Sequence, residues 1–442
     1  MELRVGVPVP GGRHRALQRA RQALEPDVHR AVPQRVLCCP RPRGLVSQRA
    51  ARRPGIVSVP ARVVIATDTT VQGGVDRYVV DLALAGRAAG AAVTVLLERS
   101  AEPGLAAALT GHGIRVEPRR LHHGTHDTAH IESDCHDTIS RRRPDLLHVV
   151  CGSPRSCLTL RETATGSAVP VVITEQYVPG DLAFSAETVS RIERNYRSAA
   201  HVIFVSSGNR DEMSKLVPDT AVRTVVIPNA VRAKTITARC PTPHQRRERA
   251  AARRATSTLR VACVARLAPQ KGVEILLRAV QRLGPDPGIV VDVFGTGPLH
   301  DQLLVERDEL GIGDRVRFIG WCDDVVTELA EHDTLVLPSR HEGMPFAVLE
   351  AMAAGVPVIA TEVPGTVEAL GSGTFGTVVP RDDPTAMASA LAAFRNDPDP
   401  VFDLARDAST HVAAHHDLDD CMERTLACWR ATSSEEAPSS TY

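Results

Sequence analysis

Lysine is almost missing from this chain of 442 residues: Lys215, Lys234 and Lys271 are the only three, against 49 arginines. With so much Ala and Arg, the shortage reads as the coding bias of a GC-rich genome, and a lysine kept against that bias stands out. Long apolar runs are lacking as well. The richest stretches, residues 81–97 and 346–361, are broken by Arg87 and Glu350, which leaves both short of a membrane-spanning helix. The ten cysteines show no metal-ligand spacing, with Cys38 and Cys39 adjacent and Cys421 and Cys428 seven apart. Reduced, buried thiols are expected, with neither zinc ligands nor disulfides. Net charge is zero, 52 basic against 52 acidic residues, so the total points to neither nucleic acid nor an anionic membrane. No G-x-G-x-x-G follows a first strand, which argues against a nicotinamide-dependent dehydrogenase.

What is present suits a soluble globular protein of two domains. Apolar residues make up 43% and charged residues 24%, and the length exceeds one ordinary core. Residues 1–60 form an Arg- and Pro-rich extension without sustained period, expected to be disordered or to precede the true start of translation. From residue 62 onward, short β-branched runs alternate with helical stretches: 63–67, 93–98, 114–118, 146–150, 171–175, 201–206 and 224–228. Near-continuous apolar strands separated by helices imply a parallel sheet covered on both faces. Val75, Tyr78, Val79 and Leu82 fall on one helical stripe. A polar, Arg-rich segment, residues 232–257, reads as a linker. A second alternating series follows at 259–265, 290–295, 316–320, 334–338, 357–361 and 376–379. The architecture expected is α/β, with two doubly wound Rossmann-like parallel-sheet domains over residues 61–231 and 258–400. Terminal helices over 401–430 and a disordered tail, 431–442, complete the chain. Ligands in such sheets lie beyond the carboxyl ends of the strands, and the conspicuous motifs fall there.

Arg266-Leu267-Ala268-Pro269-Gln270-Lys271-Gly272 follows strand 259–265 and precedes a helix. A guanidinium and an ammonium across one turn, beside a helix N-terminus, make a diphosphate site, although two solvated surface cations would read the same. Phe294-Gly295-Thr296-Gly297-Pro298 permits close backbone approach, with Pro298 suited to a first helical position; a plain tight turn explains it equally. In the run Pro338 to Pro357, Glu342 and Gly343 occupy a loop, Pro345 is placed near the first helical position, and Gly355 closes the helix. Glu342 and Glu350, seven residues between them, can reach different parts of one extended ligand through paired hydroxyls. Taken singly, each is equally a capping acid or a solvated helical residue.

This block, with R-x4-K and G-x-G-P upstream in the same order, resembles the retaining family-4 glycosyltransferases of GT-B fold over roughly residues 62–400. The resemblance implies a nucleotide-sugar donor whose diphosphate is held by Arg266 and Lys271, with Glu342 at the transferring sugar and Glu350 on the ribose hydroxyls. Gly343, Met344 and Pro345 would present backbone to sugar or phosphate, the segment Phe318-Ile319-Gly320 would pass the base, and Pro364-Gly365 through Glu368 is similar to the family's following loop. In the N-terminal half, Gly73-Gly74 is similar to the family's double glycine near the donor phosphate or acceptor, and Asp145 to His148 resembles its strand-plus-His element. Gln176 stands where the family often carries a histidine, leaving Glu175 or Gln176 to orient the acceptor.

Retention of configuration without a visible nucleophile implies same-face attack assisted by the leaving group. No cofactor or metal is expected, since no Asp-x-Asp lies beside a strand end in the C-terminal half and the cations do the neutralising. Glu175, Asp181 and Glu187 near the presumed acceptor loop would suit an amine-bearing acceptor such as an aminocyclitol of aminoglycoside antibiotic biosynthesis; three solvated acids are the alternative. UDP-linked hexose or N-acetylhexosamine donors follow from family prevalence, and a cytoplasmic location from the absence of a membrane segment. A lipid- or polysaccharide-directed transferase, a GT-B-type epimerase and a non-catalytic nucleotide-sugar sensor remain alternatives.

Overall fold

A computed structural model describes residues 58–122, 128–178, 180, 184–217, 223–255, 258–285 and 288–434. Residues 1–57, most of the Arg-rich extension, lie outside them, as do Asp181 and residues 435–442. The described N-terminal lobe holds strands β1 (Arg62–Thr67), β2 (Ala92–Glu98), β3 (Arg115–Arg119), β4 (Leu146–Cys151), β5 (Val171–Glu175), β6 (His201–Phe204) and β7 (Thr224–Val226). They form one sheet in the order β3-β2-β1-β4-β5-β6-β7, all parallel. The C-terminal lobe holds β8 (Leu259–Val264), β9 (Ile289–Phe294), β10 (Val316–Gly320), β11 (Thr334–Leu337), β12 (Val358–Thr361) and β13 (Thr377–Val379). Their order is β10-β9-β8-β11-β12-β13, again parallel. Strands such as Leu146–Cys151 and Val171–Glu175 are buried along their whole length, because helices cover both faces and leave no residue facing water.

The strand order reverses between β1 and β4 in one lobe and between β8 and β11 in the other. Loops leaving those strand pairs diverge to opposite faces and open a crevice between them. In the C-terminal lobe this sets the loop after β8 beside the loop after β11, although β8 and β11 are some seventy residues apart in sequence.

Two segments differ from the sequence expectation. Residues 232–257 are largely helical, as Ala233–Arg239 and Pro243–Ala255; an Arg- and Ala-rich stretch has high helix propensity despite its polarity. Arg246 is 5% exposed and donates from Nε to the Ala354 carbonyl at 3.1 Å, near the end of the helix Phe346–Ala353. Burial lowers its pKa to about 10, so it remains a cation at neutral pH against a helix C-terminus. The terminal helices run Asp399–His415 and Leu418–Ser434, so helix continues past residue 430. The second belongs to the N-terminal core: Leu418, Met422, Leu426 and Trp429 pack with Val79, Leu82 and Val93. The chain therefore crosses between lobes twice, and the crossings touch: the Val231 N–H donates to His416 O at 3.0 Å and the Leu418 N–H to Val231 O at 3.2 Å.

Trp429 also settles the state of His148. The indole N–H, which can only donate, reaches His148 Nδ1 at 2.8 Å, so the imidazole proton sits on Nε2 and is donated to Thr174 Oγ1 at 2.8 Å. Burial lowers the His148 pKa to about 3. The unfolded chain, near 6.5, then takes up the proton first: stability is full above about pH 6.5 and falls toward pH 3 by about 1.4 kcal/mol per pH unit. In urea unfolding between pH 7 and 4.5, His148→Gln is expected to show a shallower pH slope than the wild type. Trp429→Ala removes the largest fully buried side chain and is expected to cost about 3–5 kcal/mol, read as a lowered thermal midpoint.

Candidate active site at the interlobe crevice

After β8 the chain makes a single 3-10 turn, Pro269–Lys271, and leaves it through Gly272 at φ 58°. A side chain on Gly272 would run into the Pro338 carbonyl, so glycine lets this loop lie against the end of β11. Two hydrogen bonds then join the loops: Gln270 Nε2 donates to His341 O at 3.0 Å, and the Arg340 N–H to Gln270 O at 2.8 Å. Across this join Lys271 Nζ meets Glu342 Oε1 at 2.6 Å, and Ser339 Oγ donates to the same oxygen at 2.7 Å. The Glu342 side chain is 6% and that of Lys271 19% exposed; a carboxylate so buried requires its cation. Arg266, three residues before that turn, is exposed, with Nη2 3.5 Å from Gln270 Oε1. The structure thus brings Lys271 and Glu342 together, with Arg266 exposed earlier in the same loop.

The Gly295–Gly297 loop packs on the same backbone. The Leu267 N–H donates to Thr296 O at 2.8 Å and the Leu299 N–H to Leu267 O at 3.0 Å. Pro298 lies in this turn, and the helix begins two residues later, at His300. Ile319 is the last residue but one of β10 and is 48% exposed, two positions before a half-exposed Trp321. Pro345 is the N-cap of the helix Phe346–Ala353, one position earlier than expected, and Gly355 follows the helix with φ 67°.

The N-terminal lobe supplies the opposing wall. A side chain on Gly343 would collide with Gln176 O, so the glutamate-bearing loop rests directly on the end of β5. Asn229 Nδ2 lies 2.9 Å from Gln176 Oε1 and 3.0 Å from Met344 O. Gln176 is therefore at the seam, one step from the donor loop, while the Met344 carbonyl is engaged. Further along, Glu368 accepts from the Ser207 N–H at 2.8 Å and Ser207 Oγ at 2.5 Å, and from the Gly208 N–H at 3.3 Å. These groups open the helix Ser207–Leu216, so a carboxylate of one lobe caps a helix of the other. Gly73 is exposed, with open space where a Cβ would lie, whereas Gly74 lies under Phe346, whose Cδ2 would be 2.9 Å from an added Cβ. Glu350 is 5% exposed and paired with Arg77 of the helix Gly74–Ala88. Burial raises its pKa, and Arg77 opposes that rise.

Two acceptor-side expectations are corrected. His148 is fully buried with both nitrogens bonded within the protein, so it does not face the crevice. Glu175 is likewise internal: it accepts from the Tyr196 hydroxyl at 2.5 Å, and burial raises its pKa while buried Arg161 opposes this. Of the other two acids, Glu187 sits in the first turn of the helix Ala186–Ser198 and Asp181 lies outside the described residues. Sequence reasoning gave no role to Arg77, Ser339, Gln270, Asn229 or Ser207; Gln270 and Ser339 lay inside motifs it had singled out, and Arg77 three residues past the double glycine.

Two lobes of parallel α/β sheet meeting strand-end to strand-end, with a lysine–glutamate pair and an exposed arginine near the join, define a two-lobed GT-B protein. Comparison with known proteins names the family. The model described as Glycosyl transferases group 1 matches residues 258–397, and Glycosyltransferase Family 4 matches residues 72–234. The chain belongs to the family-4 type glycosyltransferases of GT-B fold. It is 33% identical over 180 residues to the 2-deoxystreptamine N-acetyl-D-glucosaminyltransferase of Streptomyces fradiae, covering 38% of this chain and 41% of that one. Over 145 residues it is 35% identical to the lipopolysaccharide core biosynthesis mannosyltransferase LpsB of Rhizobium meliloti, 31% of this chain and 41% of that one. These matches span about two fifths of the relatives' own length. In fold it is similar to Anabaena HepE in complex with UDP-glucose, with TM-score 0.68 and 20% identity over 83% of this chain and 98% of that one. A second solved structure, WaaG, a glycosyltransferase involved in lipopolysaccharide biosynthesis, gives TM-score 0.62 at 17% identity, covering 82% and 98%. No helix among the described residues is long and apolar enough to cross a membrane.

Gly343→Ala is expected to push the loop off Gln176 and reduce activity by about a hundredfold or more, the cost of misplacing reacting groups by about an ångström. Far-ultraviolet circular dichroism should stay unchanged.

Proposed function

We propose that the protein transfers a hexose or N-acetylhexosamine from a UDP-linked donor to a hydroxyl of a small polar acceptor, with retention of anomeric configuration. The observation that carries this reading is the Lys271–Glu342 pair, 2.6 Å apart, with Arg266 exposed in the same loop. Arg266 and Lys271 hold the diphosphate, and the negative charge that develops as the bond from the anomeric carbon to phosphate oxygen breaks is neutralised there. The acceptor oxygen bonds to the anomeric carbon on the face the diphosphate leaves, and its proton passes to the departing phosphate oxygen. Glu342, tied down by Lys271 and Ser339, meets the sugar hydroxyls, and Glu350 meets the ribose. Gly295, Gly297 and Ile319 shape the phosphate and base walls; Gly73 and Gly74 lie at the opposite lip.

An aminocyclitol acceptor is favoured by the likeness to a 2-deoxystreptamine N-acetyl-D-glucosaminyltransferase. With Glu175 internal, the amine has to be met by other acids of the N-terminal lobe. A cytoplasmic location agrees with the eight described cysteines, all of them free thiols.

Incubation with a panel of nucleotide sugars and aminocyclitol, inositol phosphate and lipid acceptors, read as product masses, tests the assignment. Product from UDP-sugar and a small polar acceptor is expected. Nucleotide release with no acceptor product would point to an epimerase instead. Lys271→Ala and Arg266→Ala are each expected to lower kcat/KM by about 10²–10³, the usual loss on removing one donor to a developing anion; wild-type turnover in both would refute these roles.

A further inference from the structure

The buried carboxylate of Glu350 lies in the C-terminal lobe, but the cation that neutralises it comes from the other one. Arg77 Nη1 bonds Glu350 Oε1, and the guanidinium lies over the Phe346 ring, 5.5 Å from its centroid. That ring in turn packs against Gly74, at the head of the helix carrying Arg77. Arg77 is held in this pose by contacts from both lobes. Its side chain is 35% exposed whereas that of Glu350 is 7% exposed, so the arginine reaches from a partly solvated position to a buried carboxylate. Its neighbour Asp81, 4.0 Å away, has a second cation in Arg232 at 3.2 Å, which leaves Arg77 free to serve Glu350. The other charge facing Glu350 is Asp324, itself paired with Arg239. Glu350 Oε2 accepts no hydrogen bond from the described residues.

We infer that Arg77 is a donor-positioning residue acting across the crevice. Its guanidinium fixes one oxygen of Glu350 and keeps the group a carboxylate, leaving the second oxygen to accept the ribose hydroxyls. The ribose subsite is then complete only when both lobes are in place, and the N-terminal lobe takes part in donor binding without touching the reacting atoms. This rests on the ribose reading of Glu350 given above. A guanidinium suits the task because it remains charged at any working pH and stacks on Phe346.

The experiment compares wild type, Arg77→Ala, Arg77→Lys and Glu350→Gln for UDP binding by calorimetry, and for donor KM and kcat between pH 5.5 and 8.5, with thermal unfolding as a check on folding. Arg77→Ala is expected to raise the UDP dissociation constant and donor KM about tenfold, the loss of one charge-assisted hydrogen bond. A smaller effect on kcat separates binding from chemistry. The deficit should deepen as pH falls, because Glu350, burdened by burial and without its cation, takes up a proton more readily. Glu350→Gln should weaken UDP binding without that pH dependence, and Arg77→Lys should recover part of the loss even if the alanine variant folds poorly. Unchanged or tighter UDP binding by folded Arg77→Ala at every pH would overturn the inference and make the pair a latch that occludes the ribose. A wild type that binds no UDP would overturn the functional reading itself, and this inference with it.

Discussion

Strand β8 lies beside β11, and the chemistry of the crevice depends on that pairing. A parallel sheet that reverses its strand order sets two loops, remote in sequence, side by side. Here they are the loops that carry Lys271 and Glu342. Glu342 could not remain a buried carboxylate without a cation at contact distance, and the strand pairing delivers one. Gly272 against Pro338 and Gln270 against His341 keep the loops in register, so the ammonium need not search for its partner. Preorganisation of this kind carries most of the electrostatic benefit of an active site, since nothing has to reorient when charge develops.

The second wall is joined to the first by polar contacts and by a few apolar ones, Phe346 over Gly74 and Val205 beside Met344. Asn229 with Met344, Glu368 with Ser207, and Arg77 with Glu350 are hydrogen bonds and ion pairs, while each lobe keeps hydrophobic cores of its own. Such seams resemble transient interfaces more than a domain core. The exposed contacts of this kind can be exchanged for water at modest cost, whereas the buried Arg77–Glu350 pair cannot.

Much of the fold was legible because most strands are short apolar runs ending in a turn, and the central strands of each doubly wound sheet are buried on both faces; the edge strands β3 and β10 are half exposed. The thirteen expected strands match those observed to within two residues at either end. The donor loops were legible for a related reason: sites in such sheets sit at strand ends, where glycine and paired charges are conspicuous. What stayed hidden was burial of polar groups by remote partners. His148 looked available because Trp429, which occupies its ring nitrogen, lies 281 positions away. Glu175 looked like a crevice acid because nothing local announces Tyr196 or Arg161. Arg77 escaped notice because its partner is 273 residues distant, and the Arg-rich segment read as a linker because Arg246 gives no sequence sign that it will turn inward to helix carbonyls.

The two passages of the chain between lobes run side by side, joined by backbone hydrogen bonds at Val231, His416 and Leu418, with His416 Nδ1 also 2.9 Å from Asn229 O. A single tether would let one half of the molecule swivel and twist freely against the other. Two adjacent tethers behave like the leaves of a door hinge: they permit rocking about the line that joins them and resist torsion and sliding. Any opening of the crevice is thereby confined to nearly one coordinate, and each closure returns the same pairs of residues to the same places.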